Sequence, residues 1–141
     1  MAKGSSVSIS VSHTDGMSVV AEAGSVPVGV DVERDRDGST WQEIADEVFS
    51  SREQGLIAAG LSPAQLWARK EAVLKCRRTG LSEGVADVDV AACADWLAQH
   101  ITLADLDVRK PFRAAIAVGS ADAYYHVEPL HVGELVRAWS G

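Results

Sequence analysis

The chain has 141 residues, 13 Lys plus Arg against 20 Asp plus Glu, and a formal charge of −7 at neutral pH, a length that fits one domain. Hydrophobic residues at 47% and charged residues at 23% describe an ordinary globular protein and exclude low-hydrophobicity disorder, and no apolar run approaches the ~20 residues of a membrane span. The net negative field argues against a general nucleic-acid binder, and any anionic ligand must be met by a local basic patch.

Met1 to Ser6 lacks the apolar run of a secretory signal, so a cytoplasmic location is expected. Cys76 and Cys93 have no metal-type spacing and are too few for a disulfide framework, and both read as thiols. Val7 to Val11 alternates strictly, with Val7, Ile9 and Val11 on one face and serines on the other, the pattern of a half-buried strand. The Asp15-Gly16 turn follows, and Met17 to Ala23 reads as its hairpin partner. A third strand is predicted over Val26 to Glu33, with Val28, Val30 and Val32 on one side and Gly29, Asp31 and Glu33 on the other, giving a three-strand meander.

The middle of the chain is predicted helical. Thr40 with Glu43, and Ser50 with Glu53, have capping-box spacing, which starts helices near Trp41 and Ser51, the second ending at Gly60. Ser62-Pro63 with Gln65 opens the longest helix, running to about Arg78. Gly80 to Asp89 is loop-like, and Ala91 to Ala104 fits helix and strand alike. Phe112 to Val118 reads as a buried strand, Tyr124 to Val127 as another, and His131 to Trp139 as a short terminal helix.

Asp31 and Glu33, two residues apart on a strand, share one face with Cα atoms about 6.6 Å apart. Like charges this close raise each other's pKa unless a cation relieves them, and a hard divalent ion such as Mg²⁺ would do so. A solvated edge face helped by Arg34 and Arg36 is the plain alternative. On the long helix, Leu66, Trp67, Val73 and Leu74 form an apolar arc with Lys70 inside it and Glu71 at its rim. Glu71 and Lys75 have i, i+4 spacing, so a surface ion pair with a snorkelling Lys70 is again the plain alternative. Arg69 to Arg78 holds five of the 13 cations, whereas Asp31 to Glu47 holds seven of the 20 anions. One acidic lip able to hold a metal would thus face one basic helix able to meet phosphates. His13, between Ser12 and Thr14, could donate to phosphate oxygens from the end of the first strand.

Ser10-Val11-Ser12-His13-Thr14, then Val28-Gly29-Val30-Asp31-Val32-Glu33, then Phe49-Ser50-Ser51-Arg52-Glu53, then Trp67-Ala68-Arg69-Lys70-Glu71-Ala72-Val73-Leu74-Lys75 resemble, in order and spacing, the motifs of the 4′-phosphopantetheinyl transferases over roughly residues 7 to 119. The order is similar to that in the second, catalytic lobe of the two-lobed members. The resemblance implies an α+β fold, a small antiparallel sheet packed against a long helix and shorter helices, as one domain over residues 1–141, with 1–6 a leader and 120–141 an extension.

It also implies an enzyme that moves the phosphopantetheine arm of coenzyme A onto a serine of an apo acyl or peptidyl carrier protein and releases 3′,5′-ADP. On that resemblance Asp31, Glu33 and Glu71 ligate Mg²⁺, and Lys70 and Lys75 contact phosphate. His13, with Ser12 and Thr14, holds a coenzyme phosphate, Glu71 or a water it orients is the base for the attacking serine, and Glu53 assists it or caps its helix. The nucleophile belongs to the partner, in keeping with the lack of a Ser-His-Asp or Cys-His pattern. Two-lobed members carry a first lobe that grips the adenine end of the coenzyme, and only six residues precede the first strand here. A homo-oligomer or a larger synthase is therefore expected, and a non-catalytic carrier-binding lobe is the alternative function.

Overall fold

In the computed structural model, which describes residues 7–35, 38–78 and 84–128, the Asp15-Gly16 turn folds Ser8–Thr14 (β1) onto Met17–Ala23 (β2) as an antiparallel hairpin. Gly16 takes φ +99°, a conformation that a glycine adopts without strain. The faces of β1 are the reverse of those expected. Ser10 and Ser12 point inward at 8% exposure each, while Val7, Ile9 and Val11 stay 51%, 52% and 45% exposed. The reason is a hydrogen-bonding one: Val30 N donates to Ser10 Oγ at 3.0 Å and Val32 N donates to Ser12 Oγ at 3.2 Å. Two buried amides thereby find acceptors, and leaving them orphaned would cost more than exposing aliphatic side chains.

Those serine bonds also explain why the expected three-strand meander does not form. Val28–Arg34 (β3) does not pair with β2; it pairs antiparallel with Phe112–Val118 (β5), which in turn pairs with Thr102–Leu106 (β4), so the second sheet has the order β3-β5-β4. The hairpin lies against this sheet through β1 beside β3.

Three helices cross between β3 and β4. Gly38–Val48 (α1) begins ahead of the predicted start at Trp41. Ser51–Ala58 (α2) carries the predicted capping box, Glu53 N donating to Ser50 Oγ and Ser50 N donating to Glu53. Pro63–Arg77 (α3) is capped by Ser62, has Pro at its first turn and ends on Arg78 in the left-handed region. Most of α3 is buried, and it packs on β3 and β5. Gly29 permits that approach: a Cβ there would lie 2.1 Å from Ala72 O and 2.6 Å from Cys76 N. The ambiguous stretch after Asp89 resolves into a 3₁₀ segment, Cys93–Gln99, followed by β4.

The core divides along the β3-β5-β4 sheet. On one face Leu66, Ala68, Ala72 and Val73 of α3 meet Ala115 and Ala117 of β5, with Trp41, Phe49 and Trp96 at the periphery. On the other face Val28, Val30, Ile116 and Val118 pack on Ala21 of the hairpin. Tyr124 to Val127, expected as a strand, has no regular structure, and Tyr124 is 95% exposed. The expected terminal helix at His131 to Trp139 lies outside the described residues. Among the described residues no helix is long and apolar enough to cross a membrane.

Candidate active site

Strand alternation sends Gly29, Asp31 and Glu33 toward α3 and the valines to the opposite face. Asp31 is buried between β1 and α3, and two donors fix one of its oxygens. Ser12 Oγ donates to Oδ1 at 3.0 Å, and Lys75 Nζ donates to the same atom at 3.2 Å. Lys75 is itself aimed by a second bond, to Val30 O at 3.0 Å. The other oxygen, Asp31 Oδ2, is buried and has no hydrogen-bond partner. With Glu33 ionised that oxygen has no donor, which is costly, and either a proton on Glu33 or a bound cation relieves it.

Glu33 and Glu71 share the field of Asp31. Burial, hydrogen bonding to Asp31 and the charges of Asp31 and Glu71 push the Glu33 carboxyl from 4.5 up to about 9, against the pull of Lys75. The Glu71 carboxyl is also raised, by burial first and by the Asp31 charge second, with Lys75 again opposing. The three carboxylates from β3 and α3 thus act on one another, and Lys75 pairs with Asp31 among them. Such mutual repulsion is what a hard cation removes.

Lys70 departs from expectation. It does not turn toward this hollow. Its side chain is fully enclosed and pairs with Glu53 at 2.7 Å, both side chains having 0% exposure. The ammonium also donates to Val85 O at 3.0 Å and Val88 O at 2.7 Å, and Glu53 Oε2 accepts from Val90 N at 2.6 Å. Burial pulls the Lys70 pKa down while Glu53 opposes it. Glu53 and Lys70 therefore clamp α2, α3 and the 84–90 segment together, and Glu53 does not reach the carboxylates as the assistant to a base. Arg69 is internal as well, with Nε and Nη2 each 2.7 Å from Asp105. Two of the five cations of this basic run, Arg69 and Lys70, are thus structural, and the apolar-arc position of Lys70 was the legible sign of its role.

Ser12, expected to touch the coenzyme, spends its hydroxyl on Asp31 and Val32. His13 is exposed and Thr14 half-buried at the turn end of β1. One bracing group went unforeseen: Asp35, just past Arg34, accepts from Arg113 Nε at 2.7 Å and from Ser62 Oγ at 2.5 Å. That tie fixes the end of β3 to β5 and to the cap of α3, and sequence separations of 78 and 27 residues hid it.

Among the described residues no group of three or more His, Cys, Asp or Glu side chains stands close enough to hold a metal ion unaided. Mg²⁺ seldom uses an all-protein cage, since one or two carboxylates plus substrate phosphates and water commonly complete its shell. The orphaned Asp31 Oδ2 and the raised pKa values of Glu33 and Glu71 fit such an open, oxygen-only site.

Carboxylates on β3 thus face the Glu71-x-x-x-Lys75 run of α3. The profile of the 4′-phosphopantetheinyl transferase superfamily matches residues 27–128, well over half of the chain, and the chain belongs to that superfamily. The match starts after the hairpin, so the Ser-His-Thr element lies ahead of it. A search of curated proteins gives no significant match.

Proposed function

We propose that this chain transfers the 4′-phosphopantetheine group of coenzyme A to a serine hydroxyl of an apo acyl or peptidyl carrier protein, in a Mg²⁺-dependent reaction that releases 3′,5′-ADP. The observation that carries the reading is the trio of mutually raised or orphaned carboxylates, Asp31, Glu33 and Glu71, with Lys75 bonded among them. Asp31, Glu33 and Glu71 would hold the ion. Once bound, Mg²⁺ supplies charge neutralisation at the pyrophosphate. Glu71, or a water that it orients, takes the proton of the carrier serine. The serine oxygen bonds to the phosphorus carrying the pantetheine arm as the anhydride bond to the adenosine-linked phosphate breaks. Lys75 offsets the charge that develops. His13 and Thr14, at the rim of β1, are available to a coenzyme phosphate. Lys70 and Glu53 serve this chemistry only by holding α3 in place.

The exposed stripe Val7, Ile9 and Val11 supports a homo-oligomer or a place in a larger synthase, because an aliphatic sheet face of that kind favours a covering surface. A carrier-binding lobe without turnover is the second reading, favoured by the enclosure of Lys70, which removes one of two expected phosphate contacts. Incubation with coenzyme A, Mg²⁺ and an apo carrier protein, followed by mass spectrometry, separates the two. Gain of one phosphopantetheine is expected, and carrier binding with no gain would favour the second reading.

A further inference from the structure

Resting on that reading, we infer that Ser12 is a positioning residue for the cation site: its hydroxyl orients Asp31 from the hairpin, so that docking of the hairpin on β3 and binding of the divalent cation form one linked equilibrium. Ser12 on β1 and Asp31 on β3 are both buried, and the bond between them, Ser12 Oγ to Asp31 Oδ1 at 3.0 Å, is enclosed. The direction of its proton follows from the neighbours. Val32 N–H can only donate, and it occupies an Oγ lone pair at 3.2 Å, which leaves the hydroxyl proton for the carboxylate. An enclosed hydrogen bond to a carboxylate is stronger than one in water and fixes the orientation of the group that accepts it.

Topology gives this bond its reach. β1 and β3 belong to different sheets, so no backbone ladder joins them. Two hydroxyls take its place, Ser10 Oγ accepting from Val30 N at 3.0 Å and Ser12 Oγ accepting from Val32 N. The two serines are equally buried, at 8% exposure each. They differ in one respect: among the described residues Ser12 also reaches a site carboxylate, and Ser10 does not.

Asp31 Oδ1 is therefore held from the hairpin by Ser12 and from α3 by Lys75, whose ammonium is aimed by Val30 O. With Oδ1 taken up from two sides, Oδ2 is the oxygen left for a cation. Groups that orient a metal ligand commonly carry about ten- to a hundredfold of the metal's affinity. Linkage then runs both ways. An undocked hairpin releases Asp31 and weakens the cation site, and a bound cation favours the docked hairpin by the same factor.

The test is calorimetric titration of MgCl₂ into coenzyme A-saturated wild type, Ser12→Ala and Ser10→Ala. Each substitution takes the acceptor from one buried amide of β3, so both should lower the melting temperature. Mg²⁺ binding should weaken about tenfold or more in Ser12→Ala and stay within about twofold of the wild type in Ser10→Ala. Unchanged Mg²⁺ affinity in Ser12→Ala, or an equal loss in Ser10→Ala, would overturn the positioning role. Coenzyme A affinity without Mg²⁺ should be the same in Ser12→Ala and the wild type; a loss there would make Ser12 a coenzyme contact instead. A second measurement needs no variant. Adding Mg²⁺ to the coenzyme-saturated wild type should slow hydrogen exchange at the Val30 and Val32 amides about tenfold, and unchanged rates would overturn the linkage. Absence of Mg²⁺ binding by the wild type would overturn the carboxylate site of the proposed function, and this role with it.

Discussion

Asp31 carries the site's electrostatics: Oδ1 is held by Ser12 and Lys75, and the carboxylate also shares a hydrogen bond with the raised Glu33 carboxyl. Glu71→Gln and Asp31→Asn should leave the circular dichroism spectrum intact and lower the transfer rate by about a hundredfold or more; loss of fold in both would make these residues structural. Glu33 adds a pH dependence. Its folded pKa, about 9, lies above the 4.5 of an unfolded carboxyl, so between these values the native state binds more protons than the unfolded one. Stability contributed by that proton is complete below 4.5 and is lost as pH rises toward 9. Glu71 acts in the same direction. Without divalent cations the melting temperature should fall across this window, Mg²⁺ should restore part of it at the alkaline end, and Glu33→Gln should flatten the slope. A profile equally steep in Glu33→Gln would contradict the assignment. At this scale the sequence was informative: period-two alternation put Asp31 and Glu33 on one face, and helical periodicity put Glu71 at the rim with Lys75 one turn further on. It was silent on Ser12, because a serine on a strand gives no sign of whether it serves a coenzyme or a neighbouring carboxylate.

Among the elements, α3 and β3 decide where the site lies. Gly29→Ala would drive a methyl into the α3 backbone, with Ala72 O at 2.1 Å. Separation of α3 from β3 should then cost about 1–3 kcal/mol of stability by denaturant titration and also lower transfer, because Glu71 and Lys75 move with the helix. Unchanged stability would mean that the contact is looser than described. The Glu53–Lys70 clamp is a second hinge of the architecture. Lys70→Met strands a buried carboxylate and should cost about 3–5 kcal/mol, much of it recovered by adding Glu53→Gln; a mild single variant would argue that the pair is hydrated. The boundaries of α2, α3 and β5 were legible from capping boxes, a helix-starting proline and a continuous apolar run. The sense of β1 was not. Alternation fixes that two faces differ but not which one is inside, and here hydrogen bonds from β3 to Ser10 and Ser12 outweighed the burial of Val7, Ile9 and Val11. The pairing of β3 with β5 was equally hidden, since it joins residues about 80 apart in sequence, as Arg34 with Phe112 shows.

For the molecule as a whole, Val7, Ile9 and Val11 give the hairpin an exposed aliphatic face. Size-exclusion chromatography with light scattering at micromolar concentration should give a mass above that of one chain, and Ile9→Lys with Val11→Lys should reduce it to the monomer; a monomeric, fully active wild type would contradict the oligomer. The acidic strand and the site helix nonetheless converge within one lobe, which is what the chemistry requires first. Calorimetric titration of Mg²⁺ into protein saturated with coenzyme A tests that convergence most directly. One ion per chain is expected for the wild type and none for Asp31→Asn or Glu71→Gln. Equal binding by wild type and variants, or no binding by any of them, would mean that these three carboxylates do not share a cation.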